Sequence, residues 1–358
     1  MPTKLRFFVT CNKHLFFFDL FFSKMYKNTL LLFVVIFFIA CGNNTNQYKS
    51  NSNIDSVAIK AGVQEISEKI QANPTNAELY FERGTKYFEA KIMDRAAIDF
   101  KDACTLDSNN AMYFYMYARS NYSLTKTILA AKNYEKAIAL QPEFIDAKIK
   151  LADLYYITKE HEKSINLANS IIAIEKTNAY AYHLRAMNYK DVGDTMKAIS
   201  NFQKAIELDN NDYDSHMILA KILLAQKNKL ALEYINACLR IRPNDADAFF
   251  ARATFWQNEK RYKMALMDYG RVIEKNADYF ECYYNVGYIN FETGFLKEAI
   301  HNFDVCVRMM NDFLPAYYMR GLCYETLKDF TNAKLNYEFV LKADPNYELA
   351  IAGMKRLK

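Results

Sequence analysis

The chain has 358 residues, more than one hydrophobic core of about 100–200 residues organises, so it is either several domains or one elongated body of repeated units. Apolar residues make up 51% and charged residues 24%, with nine Gly and six Pro, which excludes a disordered chain and an all-β chain needing many tight turns. The formal net charge is +5, but residues 1–40 hold Lys4, Arg6, Lys13, Lys24 and Lys27 against Asp19, so the remainder stands at +1 and sequence-independent nucleic-acid binding loses its electrostatic basis.

Residues 1–24, with Phe16, Phe17, Phe18 and Asp19, read as an upstream extension, and Met25 as the true start. From Met25 the chain runs through a short cationic stretch into eleven apolar residues, Leu30 to Ala40, and then Cys41. That is the anatomy of a secretory signal over 25–40, and it is too short for a hydrocarbon core that needs about 20 residues. Phe38, Ile39, Ala40 and Cys41 resemble the lipobox of bacterial lipoproteins, with Phe38 where Leu is usual. The resemblance implies that Cys41 is acylated and becomes the mature N-terminus. It also implies a lipid-anchored place in the cell envelope, and Gly42, standing where Asp would retain the protein, points to the outer membrane facing the periplasm. The competing reading is an uncleaved anchor, against which the charges of Asp19 and Lys24 count. Residues 41–56 then form a polar tether reaching roughly 20 Å, and a capping helix falls within 57–76.

From Ala77 the sequence aligns in rows of 34 that start at Ala77, Ala111, Ile145, Ala179, Tyr213, Ala246, Phe280 and Leu314, the fifth row being one residue short in its turn. Position 8 holds Gly84, Ala118, Ala152, Ala186, Ala220, Ala253, Gly287 and Gly321. Position 20 holds Ala96, Ala130, Ser164, Ala198, Ala231, Ala265, Ala299 and Ala333. Small residues at these two places let paired helices approach, and Phe100, Tyr134, Phe202, Tyr269, Phe303 and Tyr337 at position 24 fill the space beyond. Gly193 and Gly294 at position 15 suit a left-handed helix end, and Pro142, Pro243 and Pro345 mark the end of the second helix.

This pattern resembles the tetratricopeptide repeat over residues 77–347. The resemblance implies an all-α, right-handed superhelical solenoid of about eight helix-turn-helix repeats. A closing helix over 348–358 would expose Lys355, Arg356 and Lys358. The third row, with Lys148, Ala168 and Ile171 at positions 4, 24 and 27, departs most, and local looseness is expected there.

In the family the first helices line the concave face through positions 2, 5, 9 and 12. Carried over, that lining contains Phe81, Phe88, Tyr115, Tyr122, Tyr156, Phe250, Tyr284, Tyr288, Phe291 and Tyr318, interleaved with Glu78, Asp146, Asp153, Asp214, Asp247, Glu281, Glu292 and Glu325. Tyr284, Tyr288 and Phe291 form one stripe at i, i+4 and i+7, expected to anchor a partner while contributing little to stability. The implied function is an adaptor holding a segment of a partner protein in this groove; the bland alternative is that the rings pack between repeats. Co-chaperones of the family clamp a carboxylate with Lys and Asn at positions 5 and 9. Phe81 with Thr85, Tyr115 with Arg119 and Ile149 with Asp153 supply no such clamp.

No glycine-rich phosphate loop, metal-ligand spacing or nucleophile elbow occurs, so no cofactor, metal or small-molecule substrate is implied and the chain reads as non-enzymatic. Cys104, Cys238, Cys282, Cys306 and Cys323 fall inside the repeats and read as buried small hydrophobes. Aromatics beside acids also suit sugars, so a glycan-binding module is the rival, and a carbohydrate-processing enzyme using groove carboxylates a more distant one.

Overall fold

The computed structural model describes residues 52–358, with side chains from Gly62 onward, and a two-residue antiparallel ladder of Thr10–Cys11 against His14–Leu15. The apolar run before Cys41 and the lipid site at Cys41 itself lie outside the described residues. Two compact units divide at Glu68 and Lys69. A helix over Ser52–Ala72 crosses that division and starts earlier than expected, taking in residues assigned to the tether.

The second unit is all-α. Hairpin 1 pairs Ala77–Glu89 with Met93–Leu106, hairpin 2 Ala111–Ser123 with Thr127–Leu140, hairpin 3 Ile145–Ile157 with His161–Ile174, and hairpin 4 Ala179–Asp191 with Thr195–Leu208. Hairpin 5 pairs Tyr213–Ala225 with Ala231–Ile241, hairpin 6 Ala246–Asn258 with Tyr262–Lys275, hairpin 7 Phe280–Glu292 with Leu296–Met309, and hairpin 8 Leu314–Thr326 with Phe330–Ala343. Glu348–Arg356 closes the stack. Each hairpin packs on the next in chain order, second helix against following first helix.

The aligned positions become the core. Every position 20 residue is fully buried, and so are Phe100, Phe202, Tyr269, Phe303 and Tyr337 at position 24. The closeness is real at Gly287, where a Cβ would stand 2.8 Å from Phe303 Cε1. Each side chain of this kind removes apolar surface from water at about 25 cal/mol per Å², which offsets the entropy of ordering short helices that would not persist alone.

All eight first helices end alike. Position 15 adopts positive φ in every hairpin, at Lys91, Thr125, Lys159, Gly193, Lys227, Lys260, Gly294 and Lys328. The next amide then donates back across the last turn, as in Ile92 N to Tyr87 O at 2.8 Å and Asp194 N to Tyr189 O at 2.8 Å. Only two of these residues are the glycines that the geometry favours. Hairpin 5 loses its residue just after this turn: Asn228 Oδ1 accepts from Leu230 N at 3.0 Å, the next amides form i→i+3 bonds, and register recovers at fully buried Ala231.

Hairpin 3 is not loose. Ser164 Oγ donates to Ala152 O at 2.9 Å, Asn188 Nδ2 donates to Ser164 Oγ at 2.9 Å, and Ala168 and Ile171 are fully buried. The hydroxyl at position 20 exchanges a small apolar contact for a hydrogen-bonded one.

A set of arginines at position 7 ties neighbouring hairpins. Arg185 donates to Asn201 of its own second helix and to Asn169 of the preceding one, both at 2.7 Å. Arg252 binds Asp268 through Nε at 2.7 Å and reaches Asn236 at 3.3 Å, while Arg320 binds Asn336 at 2.9 Å and Asp304 at 2.6 Å. Each guanidinium also lies over an aromatic ring, Tyr182, Phe249 or Tyr317, at 5.1–5.5 Å.

Candidate partner-binding face

The first helices bring positions 2, 5, 9 and 12 to one face, but the ten aromatics assigned to it divide into two groups. Tyr115 is 8% exposed and is not a surface residue, a correction to its groove assignment. Its ring sits 5.9 Å from Tyr134 and 4.8 Å from Phe144. The same arrangement recurs at Phe250 between Tyr269 and Tyr279, at Tyr284 between Phe303 and Phe313, and at Tyr318 between Tyr337 and Tyr347. In each case a ring at position 5 is sandwiched between position 24 of its own hairpin and position 34 at the seam to the next element. Phe81 packs similarly on Phe100 and Tyr113, and Phe88 lies against Phe100 under the Arg119 guanidinium. Tyr288 and Phe291 pack partly buried on the core of hairpins 7 and 8 beside Tyr284, so the stripe of three is a structural seam as much as a surface.

The carboxylates are also partly spoken for. Tyr113 donates to Glu78 at 2.6 Å, and Tyr279 to Asp247 at 3.3 Å. Glu325 accepts from the Tyr337 hydroxyl at 2.6 Å and from Arg356, so the closing helix uses one of its three cations to seal the groove end rather than to meet solvent. Asp146, Asp214 and Glu292 remain exposed.

Hairpins 2–4 leave an opening. A cavity of about 360 Å³ is lined by Tyr122, Lys150, Asp153, Tyr156, Tyr180 and His183, with Tyr134, Leu184 and Met187 behind them. Hairpin 3 carries Ala168 at position 24, where six other hairpins place a ring, and Asn178 at position 34, where hairpins 2, 6, 7 and 8 place one, so less side-chain volume fills the face here. Tyr122 is 43% exposed and Tyr180 45% exposed. Tyr180 stands at position 2 and His183 at position 5 of hairpin 4. The positional rule reaches both, although neither is among the ten aromatics carried over from the sequence.

The cleft is electrostatically organised. Tyr180 donates to Asp153 Oδ1 at 2.7 Å, and Lys150 Nζ stands 3.8 Å from Asp153 Oδ2. Burial pushes the Asp153 carboxyl above the usual range, opposed by the Tyr180 hydroxyl, Lys150 and His183. Burial and then the Asp191 carboxylate raise the Tyr156 hydroxyl, and burial and then Asp153 raise that of Tyr180. His183 stacks on Tyr180, and its Nδ1 lies 2.7 Å from Ser215 Oγ and 3.5 Å from Asp212 Oδ2. Burial acts to raise Asp212, but hydrogen bonds from His183 and Ser215 outweigh it and hold the carboxyl at about 2.

Ser215, His183 and Asp212 do not make a nucleophile relay. The hydroxyl and the carboxylate share one ring nitrogen, and Ser215 is fully buried, so the imidazole cannot pass a proton from one to the other and no substrate can reach the oxygen. The five thiols of the second unit are free and buried, and burial pushes each up to about 12, far from a reactive thiolate.

Residues 179–212 and 314–347 match the tetratricopeptide repeat family model. Over 284 residues the chain is 18% identical to a BBSome complex member homolog of Drosophila melanogaster, covering 76% of this chain and 58% of that protein. Over 238 residues it is 23% identical to Hsp70-Hsp90 organizing protein 3 of Arabidopsis thaliana, covering 63% of this chain and 41% of that protein. The chain therefore spans less than two thirds of the length of these relatives. The solved C-terminal part of a repeat-containing protein from Cytophaga hutchinsonii superposes with a TM-score of 0.56 at 16% identity, covering 67% of this chain and 98% of that one. A tetratricopeptide repeat protein from Parabacteroides merdae gives 0.50 at 13% identity, covering 69% and 98%. These two structures share the fold.

Proposed function

We propose that this chain, a tetratricopeptide repeat protein by its matched repeats and its fold, is a non-enzymatic adaptor that holds a segment of a partner protein against its first helices. The observation that carries the reading is the cleft of hairpins 2–4. It has room unfilled by the protein's own side chains, exposed tyrosine rings that offer contact area at low entropic cost, and a carboxylate to set orientation. Protein-interaction scaffolding is the work of the family, which supports the reading.

Crosslinking in cells followed by purification of the full chain tests it. The expected result is a protein species captured by the wild type and lost in a Tyr122→Ala, Tyr156→Ala, Tyr180→Ala triple variant whose thermal unfolding is unchanged. Undiminished capture by that variant, or retention of cell-wall glycan in place of protein, rejects it.

The adaptor is held to the envelope membrane, in the same proposal, by acyl chains on Cys41. The support is the apolar run ending in Ala40 and Cys41. Intact-mass measurement of membrane-extracted protein is expected to give a diacyl or triacyl species starting at Cys41. A mass that includes residues 25–40 without acyl chains removes the anchor.

A further inference from the structure

We infer that the cleft of hairpins 2–4 receives the guanidinium of an arginine carried by the bound segment, stacked on tyrosine and paired with Asp153. This rests on the partner-segment reading above and narrows it to a chemistry.

Four observations converge. Asp153 has a side chain only 24% exposed, and its Oδ1 accepts from Tyr180 while Oδ2 has just Lys150 nearby, at 3.8 Å and beyond hydrogen-bond length. A carboxylate held this far out of water gains from a fuller cationic partner, and the burial that raises its pKa reports that deficit. Tyr122, Tyr156 and Tyr180 line the same space, and ring quadrupoles attract cations, more strongly where water is excluded. Asp191, beside Tyr156, and Asp212, beside His183, add negative potential, against Lys150, an Asp191-paired Lys190 and Arg119 near Tyr134.

The fourth observation is how the protein treats this combination elsewhere. Arg83 grips Asp99 with both Nε and a terminal nitrogen while lying over Tyr80, and Arg252 grips Asp268 in the same way over Phe249. At these two places a ring beside a buried acid is answered by an internal guanidinium. In the cleft the ring and the acid are present and the space for the planar group is left open. Arginine suits it better than lysine because its fork can bind the carboxylate while its face stacks, and because it is the more weakly hydrated cation. An apolar or anionic side chain would leave Asp153 desolvated and unpaired.

Isothermal titration of the full chain in detergent with an alanine peptide bearing a central arginine, and with its lysine and citrulline counterparts, tests the assignment. Citrulline keeps the shape and removes the charge. The arginine peptide is expected to bind about tenfold more tightly than the citrulline peptide, with lysine between. Asp153→Asn should reduce that ratio to below about twofold. Lys150→Ala, at a half-exposed side chain, should tighten the arginine peptide about twofold by removing the competing cation. Equal affinity for arginine and citrulline, a ratio preserved in Asp153→Asn, or no saturable binding of the arginine peptide overturns the inference. If crosslinked partner capture survives while the arginine preference fails, only the pairing with Asp153 falls; if capture fails too, the adaptor reading falls with it.

Discussion

Hairpins 2–4 and hairpins 6–8 both carry aromatics on the same face of their first helices, at different positions and to different ends. In the later repeats Phe250, Tyr284 and Tyr318 are each clamped between two rings. In the earlier ones the clamp is complete only at Tyr115, and beyond it Tyr156 and Tyr180 line open space with their hydroxyls tied to carboxylates. Position 34 supplies the second ring of each clamp on a position 5 side chain. It is Tyr279, Phe313 or Tyr347 where the face is packed, and Asn178 or Asp212 where it is open. Asn178 and Asp212 instead accept from amides of the next helix, so a helix cap has taken the place of a ring. A family's facing positions thus say where a side chain points, while for position 5 a residue far along the repeat says whether a second ring closes over it.

The comparison can be broken most sharply by truncation. Tyr284→Ala should cost about 3 kcal/mol in chemical denaturation, because it empties a site between two rings, whereas Tyr122→Ala should stay within about 0.5 kcal/mol. Equal losses would erase the distinction between the two halves. Phe313→Asn transplants the open arrangement into hairpin 7: about 2 kcal/mol should be lost, a ring's burial less the gain of a cap, and the Tyr284 hydroxyl, which burial holds up to about 12, should return towards its usual range in a spectrophotometric titration.

Smaller effects sharpen the picture at the turns and seams. Thr125 is β-branched at φ 59°, so Thr125→Gly should raise stability by about 1 kcal/mol, whereas the same exchange at the exposed turn of hairpin 4 has already been made by Gly193. The smallest effect is a pH dependence at His216, which is buried with Nδ1 unpartnered and Nε2 3.2 Å from Asn210 O. Burial holds its pKa below the ordinary 6.5, outweighing Asn210, Asp212 and Asp209, with Arg240 acting in the same direction as burial. The unfolded chain therefore binds the proton more readily, so the stabilisation is present above pH 6.5 and is lost as the pH falls below it. Thermal melting from pH 7 to pH 5 should fall more in the wild type than in His216→Asn.

The skeleton of the fold was legible because steric demand at a helix crossing admits few side chains. Small residues at positions 8 and 20 and rings at 24 mark the crossing in the letters alone, down to the shortened fifth row. The left-handed turns were legible at Gly193 and Gly294 and invisible at the five lysines and Thr125, since nothing in lysine's chemistry marks positive φ and the hairpin imposes it through its hydrogen bonds. The candidate site was harder to read. Tyr122, Tyr156 and Asp153 were on the expected face, but which rings are spent on packing depends on contacts between position 5 of one hairpin and a residue almost a full repeat later. That pairing is set by how neighbouring units stack and has no signature within either helix.

Position 7 carries an arginine in hairpins 1, 4, 6 and 8; in the last three it is bound back to the hairpin before it, while hairpins 3, 5 and 7 place Leu151, Leu219 and Val286 there. The array is therefore riveted in twos. Under mechanical tension it should lengthen in steps of two hairpins, and the cleft spans one joint with such an arginine and one without, the latter crossed instead by the Tyr155 hydroxyl donating to Glu135. A ligand lying across both would act as the missing rivet, stiffening the front of the spiral when it arrives and freeing it to flex when it leaves.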